Sequence, residues 1–75
     1  MNVLVLNSGS SSIKYEVFRI DDWSSRASGM LERIGEPESR LCHRSLDANG
    51  EVTETEQTQP VPDHREGLEL IAKVL

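Results

Sequence analysis

Asn7-Ser8-Gly9-Ser10-Ser11-Ser12-Ile13-Lys14 joins two runs that read as β-strands. Val3-Leu4-Val5-Leu6 precedes it, a short continuous apolar run of the kind found in a strand buried on both faces. After it, Ile13, Tyr15 and Val17 alternate with Lys14, Glu16 and Phe18, the two-residue period of a strand. The stretch is therefore the turn of a β-hairpin spanning residues 2–7 and 12–20. Its composition suits an oxyanion or phosphate. Gly9 permits a positive φ and close approach of the backbone. Successive turn N–H groups can form a nest for an anion. The hydroxyls of Ser8, Ser10, Ser11 and Ser12 can donate to phosphate oxygens. Lys14 adds a point positive charge. The Asn7 carboxamide oxygen suits a hard cation or its water. A plain Ser/Gly turn that binds nothing has the same composition, because these residues dominate turns anyway.

Several familiar phosphate and nucleophile motifs are excluded. A P-loop needs Gly-Lys-Ser/Thr opening a helix, whereas Lys14 follows Ser-Ser-Ser-Ile and enters a strand pattern. There is no G-x-G-x-x-G fingerprint and no G-x-S-x-G elbow.

Beyond the hairpin, Asp21-Asp22-Trp23-Ser24-Ser25 reads as a turn, its acids solvated rather than metal-binding. Arg26 to Ile34 reads as a third strand, with Ala27, Gly29 and Leu31 on one face and Ser28, Met30, Glu32 and Ile34 on the other. Gly35-Glu36-Pro37 forces a loop. Arg40 to Leu46 is a fourth strand, and Asp47-Ala48-Asn49-Gly50 a hairpin turn. Glu51 to Thr58 returns as a fifth, exposed strand whose glutamates discourage edge pairing. After Pro60-Val61-Pro62, Asp63 is placed to cap a helix, with Glu66 in the capping-box position. Leu68, Ile71, Ala72 and Leu75 form its apolar stripe. The reading assigns structural roles to His43 and His64 and makes Cys42 a small core residue.

With 75 residues, 36% apolar, the chain is one domain or less. A single core of this size supplies about 3–5 kcal/mol, and the lone Cys42 allows no internal disulfide. The net charge of −5, with scattered basic residues, speaks against nucleic acid. No apolar run approaches the ~20 residues of a membrane span, and no signal-peptide pattern opens the chain. The reading is a cytoplasmic protein without a membrane or nucleic-acid partner. The apolar stripe reaches Leu75 without a glycine cap, so the chain is expected to be truncated.

Met1-Asn2-Val3-Leu4-Val5-Leu6-Asn7-Ser8-Gly9-Ser10-Ser11-Ser12-Ile13-Lys14-Tyr15 closely resembles the amino terminus of acetate kinases, the acetokinase family, within the superfamily of actin, sugar kinases and heat-shock ATPases. Gly29-Met30-Leu31-Glu32-Arg33-Ile34-Gly35 and Asp63-His64-Arg65-Glu66-Gly67-Leu68 resemble the same family and come in its order, so the resemblance covers nearly the whole chain. It implies reversible phosphoryl transfer from ATP to acetate with Mg²⁺, in a full-length homodimer. It places Asn7 at the magnesium site, Lys14 at ATP, and Ser10 and Ser12 at the phosphate end of the cleft; Gly9 joins these cofactor-binding residues through the close backbone approach it permits. It places no catalytic residue in this chain. The family's acetate-binding and charge-stabilising groups lie downstream, so the 75-residue chain alone is expected to be inactive. The expected fold is α/β or α+β: about five partly antiparallel strands and a helix, a fragment of a ribonuclease H-like, actin-like ATPase domain. A propionate kinase fragment stays open, as does a non-catalytic module that oligomerises through strand edges and the helix stripe.

Overall fold

A computed structural model describes residues 1–47 and 49–75. Five strands precede one helix: β1 (Asn2–Ser8), β2 (Ile13–Arg19), β3 (Ser24–Glu32), β4 (Ser39–Leu46), β5 (Val52–Gln59) and α1 (His64–Val74). The strands form one sheet in the order β1-β2-β3-β4-β5 with every neighbour antiparallel. The number and order of elements match the sequence reading, with ends differing by one or two residues.

The turn chemistry explains those ends. Asp22 Oδ1 accepts from the Ser24 amide at 3.0 Å and the Ser24 hydroxyl at 2.7 Å, so β3 starts earlier than Arg26. Asp47 Oδ1 accepts from the amides of Asn49 and Glu51, and Gly50 takes φ 81°. Ala48, the remaining member of that expected turn, lies outside the described residues. Asp63 caps α1 as expected, its Oδ1 accepting from the Glu66 amide at 2.9 Å.

The core lies on one face of the sheet. Register places Ile13 beside Leu31 and Leu31 beside Leu41, a row of three fully buried side chains. Tyr15, Ile34, Val61 and Ile71 complete the cluster. The helix sits over this row through Gly67 and Ile71, with Leu70 and Val74 packed alongside. Gly67 allows the close approach: a Cβ there would meet Leu31 Cδ2 at 2.9 Å and Ile13 Cδ1 at 3.3 Å. The expected stripe of Leu68, Ile71, Ala72 and Leu75 is thereby corrected. Only Ile71 of that set is buried, while Leu68, Ala72 and Leu75 are exposed. The inward face is centred on a glycine, which carries no apolar signal.

The expectation that β1 is buried on both faces is also corrected. Leu4, Val5 and Leu6 are 45%, 50% and 46% exposed. Among the described residues β1 is an edge strand beside β2, and α1 covers the Ile13–Leu31–Leu41 row rather than Leu4 and Leu6. Every residue of β5 is exposed, as expected.

Candidate functional site

The β1–β2 turn is closed by the Gly9 amide donating to the Ser12 carbonyl at 2.8 Å. Two further bonds hold it from outside. The Ile34 amide donates to the Ser11 carbonyl at 2.9 Å, and His64 Nε2 donates to the Gly9 carbonyl at 2.7 Å. The carbonyls of Gly9, Ser11 and Ser12 are thus all satisfied by protein donors. Ser8, Ser10 and Ser11 are exposed and Ser12 is half-buried. Such a turn offers hydroxyls to an anion while the Gly9, Ser11 and Ser12 carbonyls each already accept a protein hydrogen bond. Gly9 does not take the expected positive φ; among the glycines that region is reached by Gly35 and Gly50. What Gly9 supplies is room, since a Cβ would stand 3.0 Å from Ser12 Oγ.

Asn7 and Lys14 are direct cross-strand partners, and both are exposed. Antiparallel partners carry their side chains on the same face, Cβ atoms about 5 Å apart. Register extends the pair into a row across the sheet: Asn7, Lys14, Met30, Cys42, Glu56. A second row runs Val5, Glu16, Ser28, Arg44, Glu54. Both rows line an open trough of about 740 Å³. They lie on the face opposite the Ile13–Leu31–Leu41 row that α1 covers, because neighbouring residues of a strand alternate faces.

The charges in the trough are unequal in freedom. Arg40 pairs with Glu56 at 2.9 Å and Glu32 at 3.5 Å, and Arg44 with Glu54 at 3.8 Å. The Arg40 guanidinium holds the Glu56 carboxyl below its usual range. Lys14 has no ion-pair partner among the described residues. It is therefore the trough's cation with charge to spare for a ligand. Cys42 is half-buried on this face, its Sγ 4.0 Å from Glu56 Oε2, and not in the core as expected.

Of the sequence-predicted site residues, the structure brings Asn7 and Lys14 together in the trough. Gly9, Ser10 and Ser12 build the turn beside it and are not among its lining residues. Among the described residues no three His, Cys, Asp or Glu side chains cluster as metal ligands. The Asn7 carboxamide is a hard oxygen donor, and Mg²⁺, which usually takes one or two carboxylates with waters and substrate phosphates, would need those further donors from outside these residues.

The description of the acetokinase family matches residues 2–75. The chain belongs to the acetokinase family. The acetate kinase of Syntrophobacter fumaroxidans is 51% identical over 71 residues, covering 95% of this chain and 17% of that protein. That of Brachyspira hyodysenteriae is 45% identical over 75 residues, covering 100% of this chain and 18% of that protein. The crystal structure of Porphyromonas gingivalis acetate kinase superposes with a TM-score of 0.78 at 38% identity, over 99% of this chain and 18% of that one. The chain thus spans less than a fifth of the length of these relatives, and its sheet and helix are part of the acetate kinase fold.

Two features of this acetokinase sheet escaped the sequence reading. Tyr15, Gly29 and His43 are consecutive register partners across β2, β3 and β4. The Tyr15 ring crosses over Gly29, stacks on the His43 ring with centroids 5.7 Å apart, and its hydroxyl hydrogen-bonds His43 Nδ1. A Cβ at residue 29 would collide with the Tyr15 ring and stand 2.6 Å from the Cys42 carbonyl. Burial pushes the Tyr15 phenol up to about 12 and the His43 imidazole down, so the phenol donates to a neutral ring. A glycine inside a strand pattern is the sequence signal for such a slot. The second feature is Ser39, fully buried, whose hydroxyl donates to the Arg33 carbonyl at 2.9 Å and accepts from the Val61 amide at 3.2 Å. It ties the β3–β4 turn, with Arg33 at φ 61° and Gly35 at φ 89°, to the segment entering α1. That turn also supplies the Ile34 amide that holds Ser11.

Proposed function

We propose that this chain is the amino-terminal part of an acetate kinase, an enzyme that transfers the terminal phosphoryl group of ATP to acetate and the reverse. The observation that carries the reading is the Asn7–Lys14 pair: a carboxamide and an ammonium with no ion-pair partner among the described residues, set side by side next to a hydroxyl-rich turn, in a chain of the acetokinase family. Phosphoryl transfer needs positioning and charge stabilisation more than covalent chemistry from the protein. Lys14 attracts and orients phosphate oxygens. Ser10 and Ser12 donate hydroxyl hydrogen bonds to them at the turn. Asn7 would offer a neutral oxygen to Mg²⁺ without cancelling the charge of Lys14. The ion, when bound, neutralises phosphate charge during transfer. The groups that hold acetate belong to the remainder of the protein. A cytoplasmic location and a homodimeric whole enzyme are part of this reading, the homodimer resting on the family resemblance.

The test is a chimera. This chain replaces the corresponding segment of Porphyromonas gingivalis acetate kinase, over which it superposes along 99% of its length. The proposal expects ATP- and acetate-dependent turnover by the chimera and none by the 75-residue chain alone. A folded chimera without turnover, or turnover by the isolated chain, contradicts it.

A further inference from the structure

The first residue of α1 reaches back to the turn that the proposed function assigns to phosphate. We propose that His64 is the positioning residue of that turn: its Nε2–H bond to the Gly9 carbonyl fixes where the Ser10 and Ser12 hydroxyls stand. This inference rests on the phosphate reading of the turn for its consequence, but not for its geometry.

Three observations converge on it. The Asp63 cap fixes the start of the helix, so the backbone of His64 is set before its side chain makes any contact. Gly67, one turn later on the same helix face, lets that end of α1 sink against Leu31 and Ile13. Ile13 follows the turn directly, so a helix seated on Ile13 places residue 64 beside the turn. From there the imidazole spans to Gly9 at 2.7 Å. A carbonyl only accepts, so Nε2 carries the proton. The second outside tie, Ile34 N–H to the Ser11 carbonyl at 2.9 Å, comes from a different element. The two ties bracket Ser10, whose backbone lies between the held carbonyls. One of them passes through a side chain and is open to mutation without disturbing the sheet.

The experiment uses ¹⁵N-labelled 75-residue chain and its His64→Ala and His64→Gln variants. Hydrogen exchange is read at Gly9, whose amide closes the turn, and at Leu31 and Leu41 as core reporters. Loss of one hydrogen bond is expected to speed Gly9 exchange about fivefold in His64→Ala with the core amides unchanged. His64→Gln, which keeps an N–H donor, restores protection. Unchanged exchange at Gly9 overturns the proposal. Equal acceleration at Leu31 and Leu41 also overturns it, as does failure of glutamine to rescue. Titration with Mg²⁺ and ADP, followed at the Ser10–Ser12 and Lys14 amides, tests the consequence separately. No perturbation of the parent chain counts against the phosphate reading and leaves the tether standing. Equal perturbation in parent and His64→Ala, with a loosened turn, overturns the positioning role.

Discussion

Gly29→Ala tests the packing of this sheet through a single methyl group. The new Cβ would collide with the Tyr15 ring and stand 2.6 Å from the Cys42 carbonyl, which belongs to the sheet ladder and cannot move alone. Tyr15 has to leave its slot. It is 3% exposed, so the displaced ring disturbs a packed core, at about 1–3 kcal/mol for overpacking. Its bond to His43 is lost as well, about 1 kcal/mol. Alanine recovers about 0.5–1 kcal/mol over glycine through backbone entropy. The net cost is therefore about 1–3 kcal/mol, a large part of the ~3–5 kcal/mol available to a core of this size. Urea unfolding followed by far-UV circular dichroism reads it directly. With a slope near 1 kcal/mol/M for a small domain, the midpoint falls by roughly 1–3 M. The same substitution in a Tyr15→Leu background is expected to cost about half as much, because the ring contact is already gone. A Gly29→Ala midpoint within about 0.3 M of the parent refutes the slot, since the slope makes that about 0.3 kcal/mol.

The Tyr15–His43 pair makes stability fall at both ends of the pH scale. Tyr15 is raised from 10.0 to about 12, so its neutral form is favoured by folding and stability is lost as pH rises from 10 toward 12. Unfolding midpoints measured across that interval should show a loss of up to about 2–3 kcal/mol that Tyr15→Phe removes. His43 is lowered from 6.5, so the unfolded chain binds more protons and stability drops as pH falls below 6.5, an effect absent in His43→Asn. Asp63→Ala removes the helix cap and is expected to cost about 1 kcal/mol in urea unfolding, with reduced helical signal near 222 nm. Gly9→Ala should cost under about 1 kcal/mol, because φ is ordinary and the Ser12 hydroxyl can turn aside, whereas Gly9→Val adds β-branched bulk and costs more. A Gly9→Ala penalty as large as that of valine would contradict this local geometry.

The pattern of strands was legible because each boundary is written in local chemistry. Asn49-Gly50 and Asp63 with Glu66 each specify one turn or cap without reference to the rest of the fold. What escaped the sequence depends on register or on empty space. Gly67 centres the helix's inward face yet contributes nothing to an apolar count, so that count favours a stripe of Leu68, Ile71, Ala72 and Leu75, of which only Ile71 is buried. Val3 to Leu6 reads as fully buried, but burial depends on which elements lie beside β1. Tyr15, Gly29 and His43 are joined only by strand pairing, and Ser39 only by the meeting of the β3–β4 turn with the segment before α1. At the site, Asn7 and Lys14 are singled out in the sequence by residue type alone, and it is the strand register that sets them opposite one another. The His64 tether, 55 positions from Gly9, had no local signal.

The central claim is that Asn7 and Lys14 face the phosphoryl group from one side of the sheet. It is tested most directly by steady-state kinetics of the Porphyromonas gingivalis chimera carrying Lys14→Ala or Asn7→Ala, with folding checked by circular dichroism. Removing a charge or oxygen that acts on the transferring group is expected to lower kcat by about 10²-fold or more for Lys14 and less for Asn7. Unchanged kcat and unchanged KM for ATP in both variants would contradict the account.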